Sequence, residues 1–326
     1  MDTFLNVQIL QICVFNFEKH IHFLQFYIYC HPCQMTQHKT CNGLVDPKSR
    51  KKRQMMTEKT TDTYALITGA SQGLGKYFAI ELAERKYHTI LVALPGENID
   101  HVADMCRING RKSVIYETDL TNKQNILELT KWVNDHFELS ILVNNAGLGG
   151  TRSFVDSDVD YIDNIIQLNI TALALITHQL LPNLLKQRHG YILNVSSMAS
   201  FSPIGYKTVY PASKKFVQSF TLGLNQELKN SNVFASVVHP GPMKTNQSVT
   251  QRIENQGWIG RLGLMSPEMV AKKTIYNLLK KKPLILLGWS NRINWLLLVL
   301  TPRNIKLPLL TRAVKREIVA TKKPIK

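Results

Sequence analysis

A chain of 326 residues, 44% of them hydrophobic, is long enough to bury a full α/β core, as one large domain or two small ones. Its formal net charge of +17 is concentrated at one end, because residues 261–326 hold fifteen Lys or Arg against only Glu268 and Glu317. No helix-turn-helix, zinc-finger or RNA-binding pattern accompanies that basicity, so nucleic acid is set aside as a partner and an anionic membrane surface is the better alternative.

Residues 1–60 mix Phe4, Leu5, Ile9 and Phe15 with Glu18, Lys19 and His20, which interrupts any clean membrane span. Asp2 stands where a secretory signal wants basic residues, and no small-residue cleavage site follows. Four of the five cysteines lie here, and an extracellular disulfide framework is not expected. Cys30, Cys33, His38 and Cys41 have the ligand types of a zinc site, but they span twelve residues with little around them to fold, so no metal is assigned. The basic run 48–53 leads to Met55 and Met56, where the folded domain is expected to begin. The stretch before it reads as an unstructured extension or a start-site artefact, with an interfacial anchor as the alternative.

From Thr63 onward, short β-branched runs alternate with helical segments, the pattern of a parallel sheet covered on both faces. Strands are expected over 64–67, 89–93, 113–117, 141–143, 191–195, 235–239 and 284–287. Leu74, Phe78 and Leu82 recur at helical spacing after the first strand, giving an apolar face to pack on the sheet. No long linker breaks the region, which reads as one domain over 62–288. Between first strand and first helix stands Thr68-Gly69-Ala70-Ser71-Gln72-Gly73-Leu74-Gly75. Glycine is needed there for a backbone that turns tightly and approaches a pyrophosphate at the positive end of a helix.

Further along, Tyr210 and Lys214 are four residues apart in Tyr-Pro-Ala-Ser-Lys, and Ser197 precedes the tyrosine by thirteen. Positions i and i+4 share a helix face, so a phenol and an ammonium can share one pocket. Pro211 suits the first helical turn, where a missing N–H costs nothing. A cation beside a phenol favours the phenolate and makes it a better proton-transfer group near neutral pH.

Together, the run from Thr68 to Gly75, Asp119-Leu120 after the third strand, Asn144-Asn145-Ala146-Gly147 after the fourth, Asn169, Ser197, Tyr210, Lys214 and Pro240-Gly241 resemble the short-chain dehydrogenase/reductase superfamily. The resemblance covers about residues 62–288. It implies a Rossmann-like, doubly wound α/β fold: about seven parallel strands with helices on both faces, one domain flanked by N- and C-terminal extensions. It also implies that Thr68, Gly69, Ser71, Gly73, Leu74 and Gly75 cradle a nicotinamide dinucleotide. Asp119 and Leu120 would bind its adenine end, Asn145, Ala146 and Gly147 would line the nicotinamide ribose, and Pro240, Gly241 and Thr245 would close over the nicotinamide. Asn144 is read as mostly structural. Tyr210 would exchange a proton with a carbonyl or alcohol oxygen, Lys214 would bind ribose and tune the tyrosine, and Ser197 would polarise the substrate. Asn169 would hold a water linking Lys214 to solvent.

The pattern departs from the family after the second strand. Leu94-Pro95-Gly96 offers no acid at Leu94 for ribose hydroxyls, and Gln72 replaces a basic residue in the loop. The lack of an acid at Leu94 that would repel a phosphate favours NADP over NAD, with Lys76 near but displaced. The expected reaction is reduction of an apolar or lipid-like ketone or aldehyde. The alternatives are an NAD-dependent, steroid-like alcohol dehydrogenase and a non-catalytic NAD(P)-binding scaffold. Leu148, Met198, Phe201, Ile204 and Tyr206 are expected near the pocket, with Trp258, Ile259, Leu262, Leu264 and Met265 in a lid. The tail, 289–326, is too short in its apolar part to span a bilayer. It reads either as an interfacial anchor or as a helix packed on the domain or a second subunit. A cytoplasmic homo-oligomer, peripheral on a membrane, is the resulting expectation.

Overall fold

The computed structural model describes residues 63–107, 110–243 and 264–321. The chain divides into two units, Met1–Glu58 and Lys59–Lys326, and all described residues belong to the second. The zinc-type residues of the N-terminal stretch, Thr245 and, of the expected lid residues, Trp258, Ile259 and Leu262 lie outside the described residues.

The first half runs β1 (Tyr64–Thr68), α1 (Gly73–Glu84), β2 (His88–Ala93), α2 (Asp100–Cys106), β3 (Ser113–Glu117), α3 (Lys123–His136) and β4 (Leu139–Asn144). The second continues with α4 (Val159–Ile166), a π turn (Gln167–Ala172), α5 (Leu173–Lys186), β5 (Gly190–Val195), a 3₁₀ turn (Met198–Phe201), α6 (Val209–Glu227) and β6 (Val233–Val238). It ends with α7 (Pro267–Leu279), β7 (Leu284–Ile285), α8 (Trp289–Leu300) and α9 (Arg303–Thr321).

All seven expected strands form one parallel sheet in the order β3-β2-β1-β4-β5-β6-β7. Strand residues alternate between faces. Ala65 and Ile67 of β1 therefore join Phe78, Leu82, Val102 and Ile275 from α1, α2 and α7 in one core layer. Leu66 joins Ile126, Leu129, Val133, Ile176 and Leu180 from α3 and α5 in the other. Both layers are apolar, so β2 and β4 are buried along their whole length. Cys106 belongs to the first layer, where burial pushes its thiol up to about 11 and leaves it unreactive. Residues 159–186 make one helix long and apolar enough to cross a membrane by length and composition. In the fold Ile176, Leu180 and Leu184 of that helix are buried in the core.

The direction of winding reverses between β1 and β4, which are neighbours although two strands, β2 and β3, separate them in sequence order. Loops leaving the carboxyl ends of two such strands diverge and open a crevice. Within the sheet, Asn144 donates to Thr177 Oγ1 (2.9 Å) and Asn194 Oδ1 (2.8 Å), and Asn194 donates to Thr221 Oγ1 (2.9 Å). This buried ladder ties β4 and β5 to their covering helices, a structural use of Asn144.

Candidate active site

At the crevice, Thr68 Oγ1 accepts the backbone N–H of both Asn145 and Ala146 at 3.0 Å. The Asn145 side chain answers by donating to the carbonyls of Thr68 (2.9 Å) and Gly69 (3.0 Å). Its amide is thus spent on pinning the glycine loop, and Ala146 packs beside it against the core. The loop turns through left-handed backbone at Gly69 (φ +65°) and Gly73 (φ +57°), which favours glycine. A Cβ on Gly75 would lie 2.0 Å from the Gly69 carbonyl oxygen, so α1 starts directly under the loop. The first turn of α1 carries no acidic residue and no side-chain cap, unlike α3, where Asn122 accepts from Gln124 N. Leu74 is buried and anchors this turn in the core. A backbone cradle that one methyl group would fill, at an uncapped helix N-terminus, fits the pyrophosphate of a dinucleotide.

Beside the cradle, the Ser71 hydroxyl donates to the Glu97 carboxylate, which follows the exposed Leu94 in the loop after β2. In that loop Gly96 N donates to Glu117 Oε1 at 2.9 Å. Asp119 accepts from Thr121 N (2.9 Å) and Thr121 Oγ1 (2.8 Å), so one carboxylate oxygen shapes the turn before α3 while Leu120 is buried behind it.

Tyr210 and Lys214 open α6 as neighbours on one face, and Lys214 Nζ lies 6.0 Å from the tyrosine ring centroid. Lys214 is buried and donates to the Val195 carbonyl at 3.0 Å. Desolvation lowers its pKa to about 8, which still leaves it mostly protonated at neutral pH. Asn169 sits in the π turn, a helix irregularity frequent at functional sites. Its Oδ1 accepts from Leu148 N (2.8 Å), and its Nδ2 donates to Leu148 O (2.8 Å) and Ser213 Oγ (2.9 Å). Both amide protons are therefore spent on clamping the β4 loop to α6, and a water beside Asn169 would be held through its oxygens. The clamp brings Gly147 and Gly149 against the site. A Cβ on Gly147 would lie 3.0 Å from Asn169 Oδ1 and 3.1 Å from Lys214 Nζ, and one on Gly149 would lie 3.2 Å from the Tyr210 ring.

The two serines separate cleanly. Ser196 is buried and donates to the Lys214 carbonyl at 2.7 Å, whereas Ser197 caps the 3₁₀ turn by accepting from Ala199 N at 3.1 Å and is partly exposed. The loop after β5 is held to that after β6 by Met198 N donating to Pro240 O at 3.0 Å. His239, which the sequence reading passed over, is fully buried with Nδ1 3.0 Å from Ser200 Oγ and 3.2 Å from the Ser197 carbonyl. Desolvation lowers its pKa to about 4, so a neutral imidazole braces the serine loop, with its ring 4.6 Å from that of Phe201. Its place beside Pro240-Gly241, at the end of a strand, was the available signal. Glu97 was likewise missed, because its distance from Ser71 in sequence hides the contact. Tyr206 adopts φ +63°, a conformation that costs an L-residue about 1 kcal/mol or more, and accepts from Arg152 N through its carbonyl.

The tail is folded onto this end of the domain. A Cβ on Gly241 would lie 2.5 Å from Asn291 Oδ1 of α8, Gly205 N donates to Thr311 Oγ1 of α9 (3.2 Å), and the Trp295 ring meets Phe201 edge-on at 6.3 Å.

Residues 63–256 match the family model described as short chain dehydrogenase. An uncharacterized oxidoreductase of Staphylococcus saprophyticus is 32% identical over 221 residues, covering 67% of this chain and 91% of that protein. The very-long-chain 3-oxoacyl-CoA reductase of Anas platyrhynchos is 33% identical over 190 residues, 57% of this chain and 61% of that one. Among solved structures, a short-chain dehydrogenase from Sphingobium yanoikuyae in complex with NADPH superposes with a TM-score of 0.62 at 24% identity, over 81% of this chain and 98% of that one. L-sorbose reductase from Gluconobacter frateurii, complexed with NADPH and L-sorbose, gives 0.61 at 22% identity, over 67% and 90%. Both share the fold.

Proposed function

The chain belongs to the short chain dehydrogenase family, an NAD(P)-dependent oxidoreductase class, and on that premise we propose that Tyr210 is the proton-transfer residue of a carbonyl–alcohol interconversion. A nicotinamide held in the crevice would supply or take the hydride. Tyr210 gives its phenolic proton to the oxygen that becomes an alcohol, or removes it in the reverse direction. Lys214 holds a positive charge beside the ring and stabilises the phenolate left behind. Ser197 donates to the substrate oxygen, where charge develops, and the His239 brace keeps its loop in place. Asn169 keeps Gly147, Gly149 and Leu148 against Tyr210 and Lys214. Thr68, Gly69, Ser71, Gly73, Leu74, Gly75, Asn145, Ala146 and Gly147 form the cofactor's phosphate and ribose side; Asp119, Leu120, Pro240, Gly241 and Thr245 complete it. The observation that carries this reading is the convergence of Tyr210, Lys214 and Asn169 through Gly147, Gly149 and Ser213. Tyr210→Phe should bind cofactor as before and lose about 10²–10⁴-fold in turnover. Undiminished turnover would remove Tyr210 from the reaction.

The substrate proposed is a ketone or aldehyde with a hydrocarbon body, acting in the reductive direction. Leu148, Phe201 and Ile204 lie in loops at the carboxyl ends of β4 and β5, where ligands of open α/β sheets bind. The likeness to a very-long-chain 3-oxoacyl-CoA reductase supports the same class. A substrate of that kind partitions into lipid, which suits an enzyme working at a membrane surface. For the cofactor, the NADP preference argued from Leu94 is opposed within the chain by Glu97. A carboxylate bonded to Ser71 of the glycine loop penalises the additional ribose phosphate of NADP nearby. We therefore propose NAD as the better-held form.

A further inference from the structure

The C-terminal helices turn an apolar face outward. On α8 the exposed residues Trp289, Ile293, Leu296, Leu297 and Leu300 follow the i, i+4, i+7, i+8, i+11 spacing of a single stripe. Trp289 is 77% exposed and Leu300 69%. The opposite side of the same helix, with Asn291 buried and Trp295 against Phe201, packs on the domain. Helix α9 adds exposed Ile305 and Leu309, and Lys306 Nζ donates to the Leu298 carbonyl, joining the two helices. A water-facing helix would carry polar residues where these stand.

What covers such a face is decided by the charge around it. Arg292, Arg303, Arg312 and Lys315 are exposed on the same two helices, and no acidic residue occurs from Trp289 to Arg316. A second copy docking by two-fold symmetry would set this basic rim against its own image in a chain of net charge +17. An anionic bilayer satisfies both features, since its acyl boundary takes the aliphatic side chains and its headgroups take the arginines, with a tryptophan at the interface. At 12 residues, α8 is about 18 Å long, too short for a hydrocarbon core of about 30 Å. It therefore lies in the interface plane.

We propose that the outward face of α8 and α9 docks on an anionic lipid surface and sets the active-site mouth against it. The inner sides of these helices touch Phe201, Gly205 and Gly241, in the loops that follow β5 and β6 and carry Ser197 and the His239 brace. A hydrocarbon-bodied carbonyl would thus enter from the bilayer. That purpose rests on the proposed substrate class, while docking itself is measurable without turnover.

The test is flotation of the full chain with phosphatidylcholine vesicles, with and without phosphatidylserine. Binding should require phosphatidylserine, weaken with added salt, and fall at least about tenfold in Leu296→Glu/Leu297→Glu. Arg303→Glu/Arg312→Glu should lose the phosphatidylserine dependence. Turnover of a small water-soluble carbonyl by the leucine variant should match the wild type, which also shows that it folds. Wild type that stays unbound, or a leucine variant that floats equally well, overturns the proposal. So does a dimer in vesicle-free solution that the leucine variant abolishes, which would assign the face to a second copy. Absence of turnover in every variant with docking intact would instead strike at the proposed reaction.

Discussion

Gly75→Ala tests the cofactor cradle most directly, because the added methyl group has nowhere to go. Its Cβ would stand 2.0 Å from the Gly69 oxygen, 2.6 Å from Asn145 Nδ2 and 2.8 Å from the Gly69 carbonyl carbon. Carbon meets a carbonyl oxygen at about 3.3 Å, so loop and helix must separate by about 1.3 Å. Two of the three atoms are backbone, and the third is the amide that holds the loop through Thr68 O and Gly69 O. Overpacking of this kind costs about 1–3 kcal/mol, and loosening two hydrogen bonds adds about 1 kcal/mol each. The total, about 3–5 kcal/mol, corresponds to a fall in Tm of about 6–20 °C for a domain of this size. Thermal unfolding followed by circular dichroism, paired with dinucleotide binding by tryptophan fluorescence, reads both consequences. A loop that yields instead of unfolding moves the N–H groups that face the phosphates, so affinity falls in that case too. Unchanged Tm together with unchanged affinity would refute the close approach. The matched control is Gly223→Ala in α6, where no atom lies within 4 Å of the new Cβ. That change should stabilise by about 0.5–1 kcal/mol through helix propensity alone, and a loss would show that the space is not open.

Glu97→Gln removes the carboxylate that meets Ser71, so the ratio of NADP to NAD affinity should rise about tenfold or more; an unmoved ratio would show that this acid does not discriminate. His239 carries a pH signature. Its folded pKa, about 4, lies below the ordinary 6.5, so across that window the unfolded chain binds a proton that the folded one refuses. Stability is retained above about pH 6.5 and falls as pH drops through the window, by about 2 kcal/mol between about pH 7 and about pH 5. Urea titrations of wild type and His239→Gln should differ in that slope, and parallel slopes would contradict a neutral buried imidazole.

Much of this architecture is legible one segment at a time. Short β-branched runs placed all seven strands within a residue or two, since a strand buried on both faces has to be apolar throughout, as in β2 and β4. Glycine at 69, 73 and 75 marks a turn whose backbone requirement is local, and a spacing of four from Tyr210 to Lys214 is enough to put them on one helix face. Such features depend on a few consecutive residues, so sequence alone determines them. The long-range contacts are different. Nothing near Ser71 announces Glu97, nothing near Ser197 announces His239, and the tail from Trp289 shows its apolar stripe without showing that its other side meets Phe201 and Gly241. Those pairings exist only once the parallel register carries the ends of β5 and β6 to one level, Val195 beside Val238, and once β1 lies beside β4 to open the crevice. Sequence determined which groups were available. Strand order and register decided which of them meet, because contacts between distant segments are a property of packing.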